Sequence, residues 1–291
     1  MISILLAVYN GADFVEEAIN SVIEQTYSNW ELIVVDNGST DNTYEIIQKM
    51  ANCDDRIRNF QLTEKGKVKA YNYSFEKAKG DYICFFAADD KLTPNSLEIR
   101  VTPIFNRQMG FSTCLLKTFS KINEYNGVVF PKKINQPNYS GGSIMFTKIL
   151  ANMIFPIPEE QPNEDTWTSL HLRAFGENVH IPQVLYQYRI HVNNSFGYGL
   201  NFNEKRSRYL KRMNAFNLFY ERYKANKTPF IHNEVVPFLM GLDFAKQNQR
   251  FKILLISNLD IRSKMVLYFY CSPFLFNLRY KYFKILSGII N

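Results

Sequence analysis

The sequence predicts an α/β fold: a Rossmann-like, mostly parallel sheet flanked by helices, followed by a helical appendage. Short apolar runs at 2–9, 31–35 and 82–86 alternate with amphipathic helical patterns. Their near-continuous hydrophobicity suits strands buried on both faces of a parallel sheet. The 291 residues, 46% hydrophobic and 21% charged, suffice for one full core plus an appended region.

Met1 leads directly into Ile2, Ile4, Leu5, Leu6 and Val8 with no basic leader, which reads as a first strand and not as a signal peptide. Asp13 and Glu16 have capping-box spacing, and Phe14, Ala18, Ile19, Val22 and Ile23 then recur on one helical face. After the strand at 31–35, a second helix begins near Thr40 or Asp41 and buries Ile46, Ile47 and Met50. A third carries Val68, Tyr71, Phe75 and Ala78 on one stripe and is expected to stop at Gly80 in a left-handed cap. The strand at 82–86 completes a βαβαβαβ order with right-handed crossovers. Thr93-Pro94 opens another helix, with Leu97, Val101, Ile104 and Phe105 toward the core. Asn126-Gly127 reads as a hairpin turn between Lys121-Ile122 and 128–130, and after Gly141-Gly142 the pattern is mixed α+β. Ligands of such sheets bind beyond the carboxyl ends of the strands, which points to the loops at 7–11, 36–41 and 87–91.

Cys53, Cys84, Cys114 and Cys271 are scattered without CxxC pairs, as reduced thiols in a cytoplasmic protein would be, and no structural zinc is expected. Residues 1–203 hold 18 Lys+Arg against 22 Asp+Glu, whereas 204–291 hold 16 against 5. A basic, aromatic tail on a mildly acidic body suits a polyanionic partner. No nucleic-acid-binding fold accompanies it, so an anionic membrane surface is the expected one.

The segment from Ser3 to Gly11, then Gln25-Thr26-Tyr27 and Trp30 through Val-Val-Asp-Asn-Gly-Ser-Thr-Asp41, closely resembles the opening of family 2 glycosyltransferases. The resemblance continues through Gly66, Ala70, Asn72, 78–82, Ala88-Asp89-Asp90 and Pro94. It resumes at Glu164-Asp165 and at Tyr188-Arg189-Ile190-His191, and so spans roughly the first 200 residues. It implies a GT-A fold and an inverting transfer from a nucleotide-diphosphate sugar, most readily a UDP-sugar, helped by Mn2+ or Mg2+.

Site residues follow from the same resemblance. Asp165, in the family's ED motif, is the implied general base, because inversion needs a base opposite the leaving diphosphate. Asp89 is the implied metal ligand, Ala88 borders the ribose and Asp90 supports the loop. A hard cation on a diphosphate calls for such carboxylate oxygens. Ala87 stands where members commonly carry an acidic residue. Ala7 and Tyr9 would hold the base through main chain and ring, and Asn37 occupies the place of an aspartate that accepts the uracil N3 proton. Its amide oxygen can also accept that bond. Tyr71 replaces an arginine, leaving Lys69 as the expected nearby cation. Arg189, His191 and Ser195 belong to a string that closes over the diphosphate, with His191 a second candidate metal ligand. Plainer readings stand beside these. Asp90 could cap a turn, Asp36 could simply order its loop, Asp165 could meet a helix dipole, and His191 could be a core histidine.

The expected division is a catalytic domain at 1–203, with nucleotide-sugar binding over about 1–110 and the acceptor side over about 111–203, then a basic, mainly helical region at 204–291. Lys205, Arg206, Arg208, Lys211 and Arg212 interleave with Tyr209, Met213 and Phe216, which predicts a helix with one basic and one apolar face. The apolar stretch from 265 to 278 is broken by Ser272-Pro273 and is too short to span a bilayer, so it is expected to lie in the interface. The expectation is therefore a peripheral enzyme on the inner membrane face, acting on a glycan or lipid-linked glycan. Two other classes compete: an inactive glycan- or membrane-binding relative, and a nucleotidyltransferase, whose Gly-rich phosphate loop is missing.

Overall fold

A computed structural model describes residues 1–120, 126–191, 201–226 and 228–277. The chain forms two compact units, Met1–His191 and Val192–Asn291.

In the first unit β1 (Ile2–Val8), β2 (Trp30–Asp36), β3 (Ile57–Gln61) and β4 (Tyr82–Ala87) alternate with α1 (Val15–Ile23), α2 (Thr43–Ala51) and α3 (Lys67–Lys77). Then come β5 (Lys91–Leu92), α4 (Ser96–Val101), β6 (Gly110–Ser120), β7 (Val129–Phe130), β8 (Ile144–Thr147), α5 (Lys148–Ile154), α6 (Asp165–Phe175) and β9 (Glu177–Ile190). The sheet runs β3-β2-β1-β4-β8-β6-β9-β5, with β7 on β6. β3, β2, β1 and β4 are mutually parallel, and β8 pairs antiparallel with β4. Chain order reverses between β1 and β4, where the register sets Ala7 beside Val35 on one side and Ala87 on the other. The predicted loops therefore gather at a switch point.

β1 is buried on both faces, as its continuous apolar run demands. Ile4, Leu6 and Val8 pack in one cluster with Val15, Ile19, Val22 and Ile47. Gly80 does not adopt a left-handed cap, a correction to its expected role: a Cβ there would stand 2.6 Å from Ser3 Oγ and 2.8 Å from the Met1 carbonyl. The residue is glycine because two backbones nearly touch. Phe105 is likewise exposed and stacks on Tyr82 (centroids 6.1 Å apart) instead of entering the core. The helix after β1 begins at Val15 with no side-chain cap bond, so the spacing of Asp13 and Glu16 does not form a capping box. Gly127 (φ 81°) lies in the connection between β6 and β7, its N–H donating to the Thr118 carbonyl at 2.9 Å, and Lys121-Ile122, the expected first arm of the hairpin, lie outside the described residues.

The second unit holds α7 (Phe202–Tyr223), α8 (Val236–Lys246), α9 (Arg250–Leu254) and α10 (Ile261–Phe269). Asn201 and Glu204 cap α7 reciprocally. Phe238, Leu242, Ile253, Leu259 and Leu267 form its core, against which Tyr209, Met213 and Phe216 of α7 pack. Among the described residues no helix is long and apolar enough to cross a membrane.

Candidate functional site

Local bonding locks the loops at the switch point together. Asn10, at φ 48°, accepts the Thr40 N–H at 2.8 Å, and the Gly11 N–H donates to Thr43 Oγ1 at 2.8 Å. Asp36 is fully buried, accepts from the Ser39 hydroxyl and takes Gln61 Nε2 at 3.0 Å, which is the loop-ordering role. Asn37 Oδ1 accepts the Gly66 N–H at 2.7 Å and so anchors the start of α3. One acceptor position of that oxygen is left for a ligand. Tyr9 is exposed, and the Lys65 ammonium lies 2.6 Å from its hydroxyl and 4.5 Å from its ring centroid.

The loop after β4 is clamped from β9. Asp90 is buried, and its two oxygens accept from the Tyr186 hydroxyl (2.7 Å) and the Arg189 backbone N–H (2.8 Å). Burial, then the neighbouring Asp89 carboxylate, pushes the Asp90 carboxyl well above the usual range despite those bonds. Asp90 thus shapes the loop from beneath. Half-buried Asp89 stands above it, with Oδ2 3.1 Å from His191 Nε2. Arg189 Nε donates to the Asp89 carbonyl at 2.7 Å, its terminal nitrogen pairs with Glu17, and its guanidinium lies 4.8 and 4.4 Å from the Phe14 and Phe119 centroids. The arginine therefore braces the Asp89 main chain against α1. Ala7 and Ala88 are half-buried at the same edge, whereas Ser195 lies outside the described residues.

Asp165 opens α6. Oδ1 accepts the Gly141 N–H at 2.8 Å and Oδ2 accepts from Asn163 Nδ2 at 3.2 Å. A Cβ on residue 141 would stand 2.8 Å from Glu164 Oε1 and 3.2 Å from Asp165 Oδ1, and one on residue 142 would strike the Tyr186 ring at 2.2 Å. The Gly-Gly pair lets backbone approach both side chains. Buried Glu164 faces Lys67 Nζ at 3.1–3.2 Å. Burial raises the Glu164 carboxyl, Lys67 opposes that rise and Asp165 adds to it. The Lys67 side chain keeps 47% of its surface; desolvation works against its charge, but Glu164, with smaller help from Tyr71 and Asp165, holds the ammonium protonated above the usual lysine range.

The structure separates the two cations of the motif around Gly66. Lys69 pairs with Glu64 (2.5 Å) and Glu159 (3.6 Å), and Tyr71 is buried with its hydroxyl donating to the Phe86 carbonyl at 3.3 Å. Lys67, 5.6 Å from the Tyr71 centroid, is the cation at the carboxylates. Sequence reasoning missed it, although a lysine in a helix's first turn opposes the macrodipole and so asks for an acidic partner. It also missed Tyr186, Glu17 and Gly141. Asn72 is structural: its amide exchanges two 2.8 Å bonds with the Ile157 backbone.

Asp165, the expected base, and the candidate metal pair share one electrostatic neighbourhood. The Tyr188 phenol is raised by burial first, then by Asp90, Asp89 and Asp165, with Lys67 opposing. Tyr71 likewise responds to Glu164, Asp165 and Asp89. Among the described residues no group of three or more His, Cys, Asp or Glu side chains could hold a metal ion. The Asp89 carboxylate fits either Mn2+ or Mg2+, whereas the His191 imidazole fits Mn2+ better than oxygen-preferring Mg2+, and a complete shell would draw on ligand oxygens and water.

The sequence model of glycosyl transferase family 2 matches residues 3–154. The putative teichuronic acid biosynthesis glycosyltransferase TuaG of Bacillus subtilis (strain 168) is 30% identical over 216 residues, 67% of this chain and 81% of that protein. Among solved structures, S. aureus TarS 1-349 in complex with UDP-GlcNAc superposes with TM-score 0.65 at 17% identity, covering 99% of this chain and 92% of that one. The mannosyltransferase PcManGT from Pyrobaculum calidifontis, in complex with GDP-Man and Mn2+, gives TM-score 0.59 at 19% identity over 78% of this chain and 65% of that one. The fold is GT-A, with appended C-terminal helices.

Proposed function

The chain belongs to glycosyl transferase family 2, and from that premise we propose that it moves a hexosyl or N-acetylhexosaminyl group from a UDP-sugar, with inversion, onto a hydroxyl of a glycan or lipid-linked glycan. The observation that carries this reading is the run of contacts from Asp165 through the Gly141-Gly142 backbone and the Tyr186 ring to Asp90 beside Asp89, which supports a base and a metal-ligand candidate facing one region. The relatives lend support: one is named for teichuronic acid biosynthesis, and one structure holds UDP-GlcNAc.

Asp165 accepts the proton of the acceptor hydroxyl as its oxygen attacks the anomeric carbon, and the bond to the diphosphate oxygen breaks with its electron pair leaving on UDP. The Gly141 N–H and Asn163 aim that carboxylate. Asp89 and His191 would hold Mn2+ or Mg2+, whose chemistry here is to neutralise charge on the departing diphosphate. Ala7, Tyr9, Asn37 and Ala88 line the nucleoside side, and Asp90 and Arg189 hold the Asp89 loop in place. Lys69 and Tyr71 act from further back, and Ser195 is assigned with the diphosphate on the resemblance alone. Residues 1–203 form the catalytic domain in this account, and 204–291 hold it peripherally to the inner membrane face during surface polysaccharide assembly.

Competition by nucleotides tests the donor. UDP should raise the melting temperature in the presence of Mn2+, with dTDP next because it offers the same N3 proton, and GDP and CDP should have little effect. A larger shift with GDP or CDP overturns the UDP assignment.

A further inference from the structure

The basic helix expected to meet the membrane has spent its apolar face inside the second unit. Tyr209 stacks on Tyr270 and Phe216 on Phe238, with centroids 4.3 and 4.0 Å apart. The Arg206 guanidinium donates to the Ala245 and Tyr270 carbonyls at 2.9 and 3.1 Å. Exposed apolar surface lies elsewhere: among the described residues, six of the eleven large exposed hydrophobic side chains fall between 251 and 274. On α9 and the turn after it, Ile253 and Ile256 face the core while Phe251, Leu254 and Leu255 face out. On α10, Leu267 is buried while Ile261 and Met265 are exposed. Lys264 Nζ donates to the Leu254 carbonyl at 3.0 Å, and the Phe251 ring lies 6.4 Å from Tyr268. These contacts join the two helices into one surface. Leu255 and Ile261 are 82% and 80% exposed, unusual for aliphatic side chains so close together.

Charge selects the occupant. Arg250, Lys252, Arg262 and Lys264 accompany this surface, and the only acid between 250 and 277 is Asp260, whose Oδ1 accepts the Ser263 N–H at 3.0 Å as a helix cap. A second copy packed symmetrically on it would set cations against cations with no free carboxylate to answer them. An anionic lipid surface meets both needs, taking the aliphatic side chains below its phosphates while the lysines and arginines reach up to them.

We propose that the α9–α10 surface, and not the basic face of α7, is the part of this chain that enters an anionic membrane. This rests on the proposed peripheral placement of the enzyme. The test is co-sedimentation of the full chain with phosphatidylglycerol-containing and pure phosphatidylcholine vesicles. Leu255→Glu/Ile261→Glu should cut partition onto anionic vesicles by about ten-fold or more, whereas Arg208→Glu/Lys211→Glu on α7 should change it by less than about threefold. Leu255→Trp keeps the idea falsifiable if the double variant misfolds: its emission should shift to the blue on anionic vesicles, and brominated lipids should quench it. Partition of Leu255→Glu/Ile261→Glu equal to wild type, no blue shift at position 255, or a wild-type dimer that this variant dissociates would each overturn the proposal. Stabilisation by UDP, read on the same proteins without vesicles, reports the donor-site reading separately.

Discussion

Beside Asp165, Lys67 and Asp89 are the residues whose replacement tests the proposed chemistry. Lys67 is the cation among Glu164, Asp165 and the Tyr71 ring, with Tyr188, Asp89 and Asp90 also facing this region. Lys67→Met should lower kcat/KM by about ten-fold or more and move the Glu164 limb of the pH–rate profile to higher pH, because nothing then opposes the burial that raises that carboxyl. Lys67→Arg should restore most of both. An unshifted profile would reduce Lys67 to a packing role. Asp89→Ala should weaken UDP binding and abolish its dependence on Mn2+ together, and titrations that leave both unchanged would move the metal site elsewhere. Sequence motifs announced Asp89, Asp165 and His191, but Lys67 meets Glu164 across 97 residues and Gly141 reaches Asp165 across 24. Such partners appear only when the fold closes.

Strand ends and close backbone approaches govern the elements. Glu31, almost fully buried at the start of β2, accepts from Ser3 Oγ and the Lys79 N–H at 2.6 Å each and from Arg58 at 2.8 Å. Burial raises its carboxyl, but these three donors together hold it below the usual range. A depressed folded pKa contributes stability above the unfolded-state value of about 4.3, and that contribution is lost as pH falls through the folded value. Glu31→Gln should therefore cost roughly 1–3 kcal/mol near pH 7, with the gap from wild type closing under acid; urea melts at several pH values measure it. Gly80→Ala should cost about 1–3 kcal/mol at every pH, since its Cβ meets Ser3 and the Met1 carbonyl, and a neutral substitution would contradict the close approach. β1, β2 and β4 were legible because continuous apolar runs allow little else. β3 (Ile-Arg-Asn-Phe-Gln) was not singled out, being an edge strand with only Ile57 buried. β9 hid as well, since its mixed face and internal Pro182 mask a 14-residue strand, and yet it delivers Tyr186, Arg189 and His191 to the Asp89 loop.

Across the whole molecule, fold class and family were readable from residue order alone, because the motifs sit where a doubly wound sheet needs its loops. The charge split led the sequence reading to expect a membrane partner for the basic tail, but the surface proposed to meet it depends on where aromatic side chains pack, and composition does not record that. The central claim is that Asp165 is the base of a nucleotide-sugar transfer. The measurement is UDP release from a panel of UDP-sugars by wild type and Asp165→Asn, alongside UDP binding by each. The account predicts that Asp165→Asn loses turnover by about a thousand-fold or more while its UDP affinity stays within about threefold of wild type. Turnover within about threefold of wild type in that variant would contradict it.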